Sequence, residues 1–292
     1  MLPYARQRKL LIVTFLAIPL FLLALLTYYP AFKLLYYSFT DWNGLSAKFN
    51  WLGLDNYREV FTNRDFFGVF VNQLPYFFGG ILQNVIALLF AIVLNSRLRG
   101  RNGFRLLLFL PYIINGVAIA FMFQYVFDTT NGSLNILLDL VGLDGLKQSW
   151  LGNAALVNYS LAGISLWRYM GYTMIIYLGA LQSLPNDMYE AARIDGAGRF
   201  QSLWHLTLPS LTTIIQLNLF LTLSGALSVF DLPYILTKGG PIGASETFLL
   251  KTTETAFEFN NSGLASAMSV VLLLLTIGLL GLQRLVIRGE RA

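Results

Sequence analysis

The sequence predicts an all-α integral membrane protein with six transmembrane helices. Three observations predict it. Of 292 residues, 56% are hydrophobic and only 12% are charged. A soluble domain carries about 25% charged residues, so this chain has too little charge to face water throughout. The apolar residues gather into six runs, each near the ~20 residues that a bilayer-spanning helix needs. The basic residues cluster at alternate ends of those runs.

The first run, 10–29, follows Arg6, Arg8 and Lys9. A secretory signal starts the same way, but its apolar core is about 7–15 residues and ends at a small-residue cleavage pattern. Here the run is longer and ends in Thr27-Tyr28-Tyr29-Pro30, so it reads as a retained helix. The other runs are 74–94, 104–127, 156–181, 211–232 and 264–287. Pro19, Pro75, Pro111 and Pro233 lie in or beside them, which membrane helices tolerate because neighbours satisfy the freed carbonyls.

Placing both termini in the cytoplasm puts twelve of the twenty basic residues inside. They include Arg97, Arg99, Arg101 and Arg105 between the second and third runs, Arg193 and Arg199 between the fourth and fifth, and Arg284, Arg288 and Arg291 at the end. Six fall outside, spread over the longer loops 38–73, 128–155 and 233–263; Lys33 and Arg168 are left over. Enrichment of Lys and Arg on the cytoplasmic side is the expected bias. It accounts for the net charge of +5 without any nucleic acid.

There is no cysteine, and His205 is the single histidine. This excludes disulfides, a zinc–thiolate site and a thiol nucleophile, and leaves no set for a histidine-based metal site or triad. His205 reads as part of a short helix. The chain also lacks the G-x-x-x-x-G-K-[ST] phosphate loop. Leu223-Ser224-Gly225 lies mid-span and carries no role.

The inside connection, about 182–208, is not a plain linker. Pro185, Asn186 and Asp187 suit a helix start, by a proline in the first turn and a capping side chain. Asp187 and Glu190 complement the positive N-terminal end. Gly196 is placed to end the helix in the left-handed conformation. Arg199 to His205 then reads as a second short helix running into the fifth span. The small residues Ala191, Ala192, Gly196, Ala197 and Gly198 permit close backbone approach, and Phe200, Leu203 and Trp204 supply apolar anchors. The residues alone fit two readings, a knob that docks on another protein or an amphipathic hairpin at the membrane surface.

Glu190-Ala191-Ala192-Arg193-Ile194-Asp195-Gly196-Ala197, with Leu208-Pro209, resembles the signature loop of permease subunits of binding-protein-dependent ATP-binding-cassette importers. The sugar and glycerol-3-phosphate branch is the most similar. It shares Arg99-Gly100-Arg101 through Phe104-Arg105 to Phe109-Leu110-Pro111, Leu181-Gln182-Ser183-Leu184-Pro185, and Thr237-Lys238-Gly239-Gly240-Pro241. The resemblance covers the chain from about Asn72 onward, with residues 1–71 as an N-terminal helix and extracytoplasmic loop before a transport domain at 72–292.

The resemblance implies a type I importer permease fold in the plasma (inner) membrane of a bacterium or archaeon. It implies a second homologous permease, an ATPase dimer that binds the ATP and magnesium, and an extracytoplasmic solute-binding protein. The chain itself would be no enzyme and would bind no cofactor. Glu190, Ala191, Ala192, Asp195 and Gly196 would form the helix that couples to the ATPase. Sugar contacts in maltose-type relatives map to Ser165, Arg168, Tyr169 and Tyr172 of the fourth span. In the fifth they map to Thr222, Gly225, Ala226 and Val229, though most identities differ from the maltose-type residues.

Arg168 in mid-span must face protein or water. It fits a substrate or gating contact, an ion pair, or a snorkelling side chain. Asp231 fits a gate or an ion-pair partner. A self-contained secondary transporter or channel is the alternative, and it would show inverted repeats with broken helices at the midplane. A membrane-embedded enzyme would need acids, histidines or a metal set within the spans, which offer almost none.

Overall fold

In a computed structural model of the chain, residues 4–96 and 98–288 are described. Arg97 and Arg291, counted in the charge argument, lie outside them; so do the side chains of Lys9, Arg284 and Arg288. Helices fall where all six spans are expected. They are α1 (Arg6–Tyr37), α2 (Phe70–Asn95), the pair α3 (Arg101–Ile113) and α4 (Gly116–Val126), α5 (Val157–Gln182), α7 (Arg199–Leu227) and α8 (Ser262–Arg288). The short helix α6 (Asn186–Ile194) precedes α7. Among the described residues four helices are long and apolar enough to cross a membrane, and a fifth crossing is counted if α3 and α4 form one span.

Three spans differ from expectation. The third is not one helix. α3 and α4 meet at a bend of 98°, because Ile114 and Asn115 are extended and the Asn115 side chain caps α4 by accepting from Val117 N–H at 2.8 Å. The fifth ends early, at Leu227, and Ser228–Phe230 leave the helix before Asp231 resumes it. The fourth, α5, has the length of a span but not the apolarity. Protein surrounds much of it: Asn158, Ser160 and Thr173 are buried on its faces. A helix shielded by its neighbours needs less apolar surface than one facing lipid.

The chain forms two compact units. One comprises 1–67 and 252–274. In it the loop after α1 is tied by Asn56, whose amide donates to the carbonyls of Ser38 and Thr40 at 2.9 and 2.8 Å. Gly263 N–H donates to Trp42 O at 2.8 Å. A Cβ at Gly263 would collide with the Thr40 carbonyl, so only glycine fits this crossing. Asp41 accepts from the backbone and side chain of Asn50 at 2.6 and 2.9 Å, and these bonds hold its carboxyl below the ordinary value. Lys33, unassigned by the charge pattern, sits 5.7–6.0 Å from the ring centroids of Tyr29, Tyr36 and Tyr37, a cation over aromatic faces at the end of an apolar helix.

The other unit comprises 68–251 and 275–292. Its core is α2 packed along α5, with α3 and α7 alongside. Small residues allow the approach, as membrane helix packing requires. Ala87 and Ala91 are fully buried, and a Cβ on Gly171 of α5 would overlap the Leu108 carbonyl of α3. The Arg99-Gly100-Arg101 segment turns here. Gly100 is left-handed (φ +78°), and Arg105 donates to Leu94 O at 2.7 Å, satisfying an orphan carbonyl near the end of α2. Two buried polar links run through the core. Asn84 donates to Thr222 Oγ1 at 3.0 Å and accepts from Tyr177 at 2.9 Å; Gln83 donates to Thr173 Oγ1 at 2.9 Å.

Candidate functional site

The 182–208 connection folds as an exposed helix–turn–helix. Pro185, extended, sits at the N-cap of α6. Asp195 is the C-cap, and Gly196 follows at φ +82°. Gly196 N–H donates to Arg193 O at 3.1 Å and Ala197 N–H to Ala192 O at 2.8 Å. That is a Schellman ending, in which glycine takes the left-handed residue at least cost. Gly198 opens α7, and its N–H donates to Gln201 Oε1 at 2.8 Å. Glu190, Ala191, Asp195 and Gly196 are exposed and Ala192 is half-buried. Ile194, Phe200 and Trp204 are 86%, 72% and 55% exposed, a large apolar surface for a nine-residue helix and one turn. Tyr189 and Thr207 share a hydrogen bond of 3.0 Å that ties α6 to α7. His205 lies in α7, its Nδ1 3.1 Å from Gln201 O.

The second feature is a cavity of about 350 Å³ between α2, α3, α5 and α7. Three of the four α5 candidates, Ser165, Tyr169 and Tyr172, line it. So do the candidates of the fifth span: Thr222, Gly225 and Ala226 from α7, and Val229 from the gap after it. Tyr172 stacks on Tyr112 with centroids 4.5 Å apart, and Tyr169 meets the same ring edge-on at 6.0 Å. Arg168 is different. It stands behind the wall, its Nη1 donating to Asp231 Oδ2 at 2.9 Å and its guanidinium 5.1 Å from the Tyr169 ring centroid. Asp231 itself lines the cavity. Of the three readings open for Arg168, the ion pair is the one its geometry meets.

The Arg168–Asp231 pair sits where two helices are interrupted. Gly116, first residue of α4, packs so closely that a Cβ would come within 2.9 Å of Arg168 Nη1 and 3.1 Å of Asp231 Oδ2. The gap after α7 is stabilised from α2. Gln73 donates to Ala226 O at 3.1 Å and Leu227 O at 2.9 Å, replacing the helical donors those carbonyls lose. Thr247 Oγ1 donates to Val229 O at 2.6 Å. Sequence reasoning missed Tyr76, Gln83, Tyr112 and Asn218, all on the cavity wall. Their signal was available: each is a polar or amphipathic side chain inside an apolar run, where such residues are costly.

A family model described as binding-protein-dependent transport system inner membrane component matches residues 83–292. The chain belongs to that family. This permease is 35% identical over 276 residues to the probable ABC transporter permease protein YurN of Bacillus subtilis, covering 94% of each chain. It is 32% identical over 263 residues to the multiple sugar-binding transport system permease protein MsmF of Streptococcus mutans, covering 90% of each. Among solved structures, it superposes on a bacterial alginate ABC transporter, in complex with an alginate pentasaccharide-bound periplasmic protein, with a TM-score of 0.82 at 20% identity. That match covers 95% of this chain and 93% of the other. The permease is therefore a multi-pass membrane protein with the importer permease fold expected from the sequence.

Proposed function

We propose that this permease forms half of the translocation path of an ATP-driven carbohydrate importer. A second, homologous permease would supply the other half. An ATPase dimer would bind ATP and magnesium, and an extracytoplasmic solute-binding protein would deliver the solute. The chain would do no chemistry of its own. Residues 72–292 would be its transport domain, with residues 1–71 an added helix and loop. Both termini and the α6 hairpin would lie in the cytoplasm, and the membrane would be the plasma membrane.

One observation carries this reading. α7 is continuous from an exposed apolar-tipped turn at Gly198 to the cavity wall at Thr222 and Gly225. Glu190, Ala191, Ala192, Asp195 and Gly196 would contact the ATPase at one end. Ser165, Tyr169, Tyr172, Thr222, Gly225, Ala226 and Val229 would border the solute at the other, with Arg168 acting through Asp231. Tyrosine rings and neutral hydroxyl and amide groups on one wall suit a sugar, which presents apolar faces and many hydroxyls. The sugar-transport names of relatives such as MsmF support the same solute class.

The test is uptake into proteoliposomes holding the complete transporter, with its binding protein, across a panel of mono-, di- and oligosaccharides. Uptake should require ATP and the ATPase subunit. Uptake by the purified permease alone, driven by an ion gradient or by the solute's own gradient, would favour a self-contained transporter or channel and defeat this proposal.

A further inference from the structure

The cavity wall carries formal charge at one point. Among its lining residues none is Lys, Arg or His, and Asp231 is the one acidic residue. Its side chain is 49% exposed, whereas that of Arg168 is 13% exposed. The pair is neutral overall but oriented. The guanidinium lies behind the wall, against Gly116, and the carboxylate belongs to the wall itself. Asp231 Oδ2 accepts from Arg168, while Oδ1 has no protein donor among the described residues. The negative end of this dipole therefore borders the cavity. In a partly enclosed, low-dielectric space such an end sets a local negative potential that repels anions.

Two more wall groups bear on what the cavity holds. The phenol of Tyr76 and the amide nitrogen of Asn218 are buried, on residues 4% and 2% exposed. Both residues line the cavity; the Tyr76 phenol makes no hydrogen bond within the protein, whereas the Asn218 amide has the Tyr177 phenol beside it. A buried polar group left without a partner is costly, so the Tyr76 phenol is satisfied best by an occupant rich in hydroxyls. Neither group carries charge, so neither offsets the Asp231 carboxylate.

We propose that the cavity takes uncharged polyhydroxylated solutes and excludes acidic ones. Asp231 is the excluding residue, and Tyr76 bonds a solute hydroxyl. This rests on the carbohydrate-permease reading and narrows it.

The chain has no native cysteine, so Ser228→Cys, on the cavity wall, supplies a single reporter thiol in this subunit. In membranes holding the complete transporter, that thiol is modified with a cationic (trimethylammonioethyl) or an anionic (sulfonatoethyl) methanethiosulfonate. Mass spectrometry of this chain reads the extent. Normalised to a free thiol in solution, the cationic reagent should react at least ~10-fold faster, the lower end of what charged clefts impose on rates. Adding Asp231→Asn should abolish or invert that preference. The double change Arg168→Gln with Asp231→Asn should also abolish it, and it serves if the single variant does not assemble. Equal rates in the Ser228→Cys chain, or a preference that neither variant moves, overturn the charge filter. Maltotriose should slow the modification and trigalacturonate should not; protection by both also overturns it. If the charge preference holds but neither sugar protects, the filter stands and the carbohydrate reading falls.

Discussion

Arg168 Nη1 donates to Asp231 Oδ2 at 2.9 Å, joining the middle of α5 to the residue just beyond the gap in α7. The bond spans 63 residues of sequence and closes over Gly116 at the start of α4. Three chain segments thus depend on one contact.

Gly116→Ala should therefore wedge the pair apart. Overpacking of this kind costs about 1–3 kcal/mol. In detergent, thermal unfolding of the variant should fall by a few degrees. The same substitution in the Arg168→Gln, Asp231→Asn background should cost less, since a neutral pair has less to lose. Equal losses in both backgrounds would show that the close approach to the pair is not what fixes glycine here.

Gly171→Ala should be worse. Its Cβ would meet the Leu108 backbone carbonyl, which cannot rotate away as a side chain can. The cost should reach or exceed the ~3 kcal/mol end of overpacking. Gly179→Ala, with nothing within 4 Å, is the matched control on the same helix and should be neutral or stabilising. Thermal unfolding of the two variants side by side decides it.

Gln73→Leu should loosen the gap after α7 without making a cavity. It strips the donors from Ala226 O and Leu227 O. Polar contacts between membrane helices average about 0.6 kcal/mol and reach ~1.7, and two carbonyls are affected here. Hydrogen exchange over residues 226–232 should quicken by several-fold, while exchange in 174–181 should not change.

The Asp41–Asn50 contact should be lost in acid. Asp41 has a folded-state pKa below 3.8 because Asn50 donates to its charged form. A depressed carboxylate stabilises the fold above its unfolded value and loses that contribution as pH falls through the folded value. Protection of the Asn50 amide should hold at pH 5 and above and fade below about pH 4. In Asp41→Ala it should be low throughout.

Gly196→Trp should uncouple rather than unfold. The site has open space around it, so the penalty is the backbone one of about 1–2 kcal/mol for a left-handed residue with a side chain. ATP hydrolysis by the complete transporter should persist while solute uptake drops at least ~10-fold, the equivalent of one such penalty. Unchanged uptake would remove the coupling role from this turn.

Much of the architecture was legible because hydropathy is a local property. Each span announces itself within about 20 residues, and the α6 ending follows from Gly196 alone. The bends were not legible, since hydropathy does not register direction. The Asn115-Gly116 pair was a capping signal inside an apolar run, and it was overlooked for that reason. The gap at Ser228–Phe230 has one local cause, Pro233, which lacks the N–H a helix would offer to Val229 O; Thr247 Oγ1 donates there instead. The carbonyls just before it, of Ala226 and Leu227, are satisfied by Gln73, more than 150 residues away in sequence, which no reading of neighbouring residues supplies. The cavity wall was half legible. Resemblance placed the α5 and α7 faces, but Tyr76 and Asn218 needed the fold to bring them there.

The unbroken run Arg199–Leu227 is 29 residues, or roughly 43 Å at 1.5 Å per residue. A member of that length and stiffness behaves as a push-rod. A tilt of its Gly198 end is carried to Thr222 along one continuous helix, whose irregular turn is the π-helical stretch Leu203–Thr207 ahead of Pro209. The helix first breaks at Ser228, on the cavity wall itself and beyond Thr222 and Gly225, so displacement delivered from the exposed turn arrives at the wall along unbroken helix.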